Sequence, residues 1–338
     1  MSAQTGIEWA DSTFNPWQGC TKVSPACDHC YAERQTARFK SVEWGAGKPR
    51  VRTSVANWKL PERWNREQFY QCSACGWRGL ASGPKARCCQ CSADGVLVPS
   101  RRRVFCASLA DVFDNEVPIE WLVDLLDLIR RTPNIDWMLL TKRIGNWRWR
   151  LMSAHGHLVE SVVDGELSNW VWEWLKGNPP ANVWVGATFC NQDEWNRDAR
   201  KLLAVPAVVH FGSFEPLLSA IHIEPDFLTR WPNRQADVSS PRKSLDWIIA
   251  GGESGPHARP MHPDWVRSLR DQCAAAGVPF LFKQWGEWAP VDPDMPSELQ
   301  ESEELAGKLV GGMHRIGKKA AGRQLDGRTH NGFPVVQP

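Results

Sequence analysis

The sequence is short of tyrosine, of net charge and of long apolar runs. Only 2 tyrosines stand beside 20 tryptophans and 12 phenylalanines, so its aromatic surface is nearly all of the kind that prefers burial. The 40 lysines and arginines almost cancel the 38 acidic residues, leaving a net charge of +2. That balance excludes a chain whose main work is gripping nucleic acid through a strongly basic surface. No apolar run reaches the roughly 20 residues needed to cross a bilayer. The opening segment MSAQTGIEWADSTF has neither a basic n-region nor an apolar h-region, which argues against a signal peptide and places the chain in the cytoplasm. A GxSxG elbow, an HExxH pair, a P-loop and any internal repeat are also missing, and a hydrolase reading finds little support.

What is present is a chain of 338 residues, 42% hydrophobic, long enough for one large domain or two. Short apolar runs recur at 104–111, 136–143, 182–189, 206–214, 245–252 and 279–286, with a poorer one at 13–20. Their continuous hydrophobicity predicts strands buried on both faces, as in a parallel sheet. Helical patterns fall between them, at 27–40, 118–132, 192–204 and 263–276, the last stopping at Gly277. Strands alternating with helices predict an α/β fold, a partial TIM-like barrel of six or seven βα units. Its expected extent is 1–65 with 102–290. An inserted module is expected over 66–101, a basic Gly-rich extension over 291–338, and peripheral insertions or loops at 150–181 and 229–243. The tryptophans inside the strand-like runs are expected in the core and in pocket walls.

The predicted strands end alike, in polar residues or glycine. These are Ser108 and Asp111; Thr141, Lys142 and Arg143; Thr188 and Asn191; Ser213 and Glu215; Gly251, Gly252, Glu253 and Ser254; Lys283 and Gln284. Polar residues end any strand, but six such ends together point to one shared pocket at the barrel rim. The paired glycines would allow close backbone approach, and the Glu253 carboxylate could accept from an ammonium group.

Eight of the eleven cysteines fall in two groups, and clustered cysteines in a reducing compartment point to metal. Cys20, Cys27 and Cys30 are spaced C-x6-C-x2-C. Three thiolates so close suit an iron–sulfur cluster with one open metal position, or zinc with a remote fourth ligand such as His29. Cysteines without metal are the third possibility. Cys72, Cys75, Cys88 and Cys91 are spaced C-x2-C-x12-C-x2-C, a zinc-ribbon pattern in which two tight turns complete a tetrahedron and Cys89 is spare. An auxiliary iron–sulfur cluster is the alternative. Arg78, Lys85, Arg87 and the run Arg101, Arg102 and Arg103, with Trp77 among them, would suit phosphate contact and base stacking. A structural staple for a small insertion is the plainer reading.

The order GC-x6-CxxCYAE, LTKR, SFEPLL, GGESG, KQWG and a closing GKKAAGRQLDGR resembles a phage-encoded family known for its three-cysteine motif. The likeness covers most of residues 5–335. That family is similar to a divergent branch of the radical S-adenosylmethionine superfamily on a partial βα barrel, some of whose members accompany hypermodification of thymidine in phage DNA. The usual spacing in that superfamily is C-x3-C-x2-C, three residues shorter than here. The resemblance implies a 4Fe–4S cluster on Cys20, Cys27 and Cys30, with S-adenosylmethionine chelating the open iron and yielding a 5′-deoxyadenosyl radical. It implies rearrangement of an amino-acid-modified thymidine, a flavodoxin- or ferredoxin-type electron donor, and an infected bacterial cell as the setting. On this reading Ser108, Thr141, Lys142, Ser213, Glu215, Gly251, Gly252, Glu253, Ser254, Lys283 and Gln284 surround the cofactor. Glu215 and Glu253 would meet its amino group or ribose hydroxyls; Lys142, Arg143 and Lys283 would meet a carboxylate or phosphate. Arg101, Arg102, Arg103, Lys318, Lys319 and Arg323 would hold a DNA backbone around a flipped base. The alternatives are a radical enzyme acting on a small metabolite or peptide, and a non-enzymatic zinc or iron–sulfur protein that binds nucleic acid.

Overall fold

All seven apolar runs enter the fold as strands of one sheet. A computed structural model describes residues 5–161, 165–228, 244–292 and 294–335; the expected loop at 229–243 lies outside them. The strands are β1 (Ser12–Phe14), β2 (Arg102–Cys106), β3 (Ile135–Thr141), β4 (Val183–Thr188), β5 (Val209–Phe214), β6 (Trp247–Gly251) and β7 (Phe280–Gln284). Each pairs in parallel with the next in chain order. Because the order never reverses, right-handed crossovers put the connecting helices on one face, and the sheet curls into a half-barrel.

The two faces of the sheet explain the unbroken hydrophobicity of its strands. Val104, Cys106, Trp137, Leu139, Val185, Ile248 and Phe282 face the helices, in the larger of the two cores. Their neighbours Phe105, Met138, Trp184, Phe211, Trp247, Ile249 and Leu281 form a second cluster, which Trp9 joins from the N-terminal segment. Ile7 and Phe333 pack against this inner cluster, so both ends of the chain help to fill the concave face. Eight tryptophans are among the largest fully buried side chains. Removal of their apolar surface from water is worth roughly 25 cal/mol per Å² buried. Gly186 is required on the inner face, since a Cβ there would lie 2.3 Å from the Phe211 ring.

Local chemistry sets the helices. Helix α1 (Tyr31–Phe39) follows the first cysteine group, and α2 (Ile119–Arg131) begins after Pro118 and ends on Arg130 and Arg131. The 150–181 stretch, expected as insertion or loop, is instead mostly helical: α3 (Trp147–Ser161) and α4 (Gly165–Lys176). Leu151, Ala154 and Leu158, with Leu167, Val171, Trp174 and Leu175, make apolar stripes at helical spacing that dock on the core. Helix α5 (Gln192–Ala204) is capped by Asn191, whose side chain accepts from the Glu194 amide at 2.9 Å. Helix α6 (Pro263–Ala276) starts on Pro263 and stops at Gly277, where φ is 67°.

The C-terminal residues are docked. Met313–Arg315 pairs antiparallel with Trp288–Pro290 and Leu309–Val310. Beyond it the chain covers the open edge of β7: the Phe282 amide donates to His330 O, and the Gly332 amide to Phe280 O. This masks a strand edge that would otherwise pair with other chains. Asp326 anchors the segment to α6 through Arg267 and Arg270, whose hydrogen bonds pull its carboxyl down to about 2. A lowered carboxyl pKa stabilises above its ordinary value of 3.8, and the gain is lost as pH falls toward about 2. Amide-exchange protection of residues 325–333 should therefore decline over that window, and Asp326→Asn should flatten the decline.

Among the described residues, no helix is long and apolar enough to cross a membrane.

Candidate functional site

The C-terminal ends of β2 to β7 and the first cysteine group enclose a cavity of about 360 Å³. Of the sequence-predicted residues, Ser108, Asp111, Thr141, Lys142, Arg143 and Thr188 line it from the first three of these strands. Ser213, Glu215, Gly252, Glu253, Ser254, Lys283 and Gln284 line it from the other three. Cys20, Cys27, His29 and Cys30 close it from the loop before α1. Two residues of the expected rim do not line it. Asn191 is used as the α5 cap, and Gly251 is buried in β6, where its carbonyl accepts from the Leu217 amide.

Several wall residues lie outside the predicted strand ends. Trp9 and Phe105 supply the apolar floor, Tyr31 lies beside Ser108 and donates its hydroxyl to the Ser108 carbonyl at 2.7 Å, and Lys318 reaches in from the C-terminal segment. Trp9 and Lys318 come from opposite ends of the chain, far in sequence from any strand end.

The acidic groups differ in how they are engaged. Glu253 is buried, and both its oxygens accept from the Arg259 guanidinium, at 2.7 and 2.9 Å. His29 Nδ1 also lies 3.0 Å from Glu253 Oε2. Burial tends to raise this carboxyl, but hydrogen bonds from Arg259 and His29 outweigh it and hold the pKa below the usual range. Glu253 thus braces the cysteine loop against the end of β6, and its expected role toward a ligand ammonium meets a carboxylate already committed. Gly252 serves the same packing: a Cβ there would lie 1.9 Å from the Trp285 carbonyl, so its missing side chain admits the neighbouring strand end. Glu215 is the more open acid. It pairs with Lys283 Nζ at 3.0 Å and accepts from Ser213 Oγ at 3.3 Å, at the cavity wall.

Around the first cysteine group charges of both signs meet, Lys142 and Arg143 against Asp111 and Asp114. Arg143 Nη1 donates to Cys20 Sγ at 3.1 Å and Nη2 to the Thr21 carbonyl at 2.6 Å. Burial pushes the Cys20 thiol up to about 12, the Asp111 carboxylate adds to the rise, and Arg143 opposes it. Burial works against the Lys142 ammonium, yet Cys27, Cys30, Asp111 and Cys20 outweigh it and the net shift is upward. A thiol held this high ionises only when a bound metal supplies further positive charge, with Arg143 assisting. Among the described residues, Cys20, Cys27 and Cys30 do not form a set with all ligand atoms within 4.8 Å of one another. All three line the cavity, where three thiols could hold an iron–sulfur cluster with one position open, or a zinc with a fourth ligand from elsewhere.

The second cysteine group is different in kind. Cys72, Cys75, Cys88 and Cys91 have all their sulfurs within 4.8 Å, so the four could bind a metal such as zinc or an iron–sulfur centre. The Cys72–Cys91 and Cys75–Cys88 sulfur pairs are each 3.7 Å apart. A tetrahedron with metal–sulfur bonds of about 2.3 Å has edges of about 3.8 Å. Two matching turns build it. The Gly76 amide donates to Cys72 O and the Ser92 amide to Cys88 O, both at 2.9 Å, with φ of 78° and 60° at the two turns. The turns hang on a three-stranded antiparallel sheet of Phe69–Cys72, Arg78–Leu80 and Leu97–Pro99.

The basic residues expected to hold phosphate are mostly spent inside the protein. Arg102 is buried against Ser12 and Glu67, and Arg103 lies over the Trp184 and Phe333 rings. Arg78 binds Asp11 through three hydrogen bonds of 2.9–3.2 Å, and Arg101 donates to the Ala181 carbonyl. Arg323 bonds to Phe282 O and Asn331. Their guanidinium groups tie the module, the sheet and the C-terminal segment together, so these arginines do not form a DNA-facing stripe.

No curated protein and no solved structure matches the chain. A family described as "Protein of unknown function (DUF5131)" matches residues 4–334, and the chain belongs to that family.

Proposed function

We propose that this chain is a radical S-adenosylmethionine enzyme in which Cys20, Cys27 and Cys30 hold a 4Fe–4S cluster over the cavity. The observation that carries the reading is the meeting of three thiols with six polar strand ends around one cavity of about 360 Å³. Cluster and S-adenosylmethionine together would supply a carbon-centred radical able to abstract hydrogen from an unactivated carbon. The protein's part is placement and exclusion of water. Glu215 offers a carboxylate to an ammonium group, Lys283 and Lys142 offer cations to a carboxylate, and Trp9 and Phe105 give an apolar floor for a flat ring.

The proposed substrate is a thymidine-derived base bearing an amino-acid substituent, rearranged without change of mass. The family resemblance supports the thymidine, and the Glu215–Lys283 pair suits the zwitterion. The burial of Arg102 and Arg103 favours a second reading, a free nucleoside or other small metabolite in place of DNA. In the module, zinc is the metal proposed, in a ribbon-like fold.

The test is anaerobic reconstitution with iron and sulfide, reduction, and addition of S-adenosylmethionine. Formation of 5′-deoxyadenosine is the expected result, and its absence from a fully loaded, reduced protein would count against the reading. Adding modified DNA and the matching nucleoside in parallel, then resolving nucleosides by mass spectrometry, separates the two substrates.

A further inference from the structure

Among the described residues, Cys20 is the one loop cysteine with an arginine on its sulfur, and that arginine is held by a buried chain of hydrogen bonds. Asp111, at the end of β2, accepts from Thr141 Oγ1 at 2.6 Å and from the Lys142 amide at 2.8 Å. Thr141 Oγ1 in turn accepts from the Arg143 amide at 2.8 Å. The Arg143 side chain then spans Cys20 Sγ, the Thr21 carbonyl and, at 3.5 Å, Asp111 Oδ2. Cys20, Asp111, Thr141 and Arg143 are all buried. Water therefore screens this contact little.

We infer that Arg143 is a positioning residue that sets the redox poise of the group held by Cys20. The inference rests on the cluster reading above. A guanidinium donating to a ligand sulfur stabilises the more negative, reduced form, which raises the reduction potential. Asp111 and Thr141 fix the arginine in register with the loop. The strand ends of β2 and β3 thereby act on the chemistry of a loop more than eighty residues earlier in the chain.

The test is a redox titration of reconstituted full-length protein, with iron content and the EPR signal of the reduced cluster as readouts. Arg143→Gln is expected to load iron and to titrate at a more negative potential than wild type. Arg143→Lys keeps the charge but cannot span Cys20 and Thr21 together, and is expected to shift in the same direction by less. A fully loaded Arg143→Gln with the wild-type potential overturns the inference. Should Arg143→Gln fail to fold, Arg143→Lys decides: a negative shift supports the inference and an unchanged potential overturns it. A wild-type protein that takes up no cluster sinks the underlying reading instead, and the inference with it.

Discussion

Alanine at Cys20, Cys27 or Cys30 is expected to take the reconstituted protein from about four irons per chain in the loop site to nearly none. Each cysteine serves a different iron, so no remaining thiol substitutes for the lost one. The half-barrel should survive, because the loop that carries these residues contributes little to either sheet core: Phe14 and Trp17 precede it, and the side chains of β2 to β7 pack without it. The measurement is iron and sulfide content beside thermal unfolding. Loss of iron with an unchanged unfolding midpoint is the expected pair of results. A variant that keeps full iron would refute the ligand assignment. His29→Ala separates cluster from zinc at this loop, since it should leave iron content unchanged while loosening the brace on Glu253.

Removal of metal from the second cysteine group is expected to unfold the module while the half-barrel stays folded. The core of that module is Tyr70, Cys72, Cys88 and Leu97, far too little apolar surface to fold a segment of this size. A structural zinc site supplies about 10–16 kcal/mol of binding free energy at neutral pH, and this becomes folding free energy. Cys88→Ala, or a strong chelator, should therefore reduce bound zinc from about one per chain to none. Residues 69–99 should become open to proteolysis. The effect should travel further, because Arg78 of the module holds Asp11, and the Asp11 backbone amide donates to Arg103 O at 2.9 Å. The segment just before Asp11 contains Gly6, Glu8 and Trp9 of the cavity wall. Amide exchange should thus rise at residues 5–11 together with the module. A module that stays protected after complete loss of metal would show that its own packing holds it.

Much of the fold can be read from the chain because its signals are local. Continuous apolar runs, Pro263 and Gly277 at the two ends of α6, and paired CxxC turns each depend on residues within a few positions of one another. The α3–α4 pair was legible on the same grounds: Leu151, Ala154 and Leu158 lie at helical spacing, and the stretch looked peripheral only because it interrupts the strand–helix alternation. Strand ends gave the polar rim for a similar reason, since the residue after a buried run has to meet either solvent or a cavity.

The role of each charge was not local. A run such as Arg101, Arg102 and Arg103 reads as a basic surface, yet Arg102 meets Ser12 across 90 positions and Arg78 meets Asp11 across 67. Glu253 reads as a ligand for an incoming ammonium group until the fold brings Arg259 and His29 onto it. Trp9 and Lys318 reach the cavity only because both ends of the chain close over the concave face. By itself the sequence determined the βα alternation, the helix ends and the two cysteine groupings, through periodicity and spacing. Tertiary structure alone decided which charged groups neutralise one another and which line the cavity, because a buried charge must find a partner in space, and that partner is rarely a neighbour in sequence.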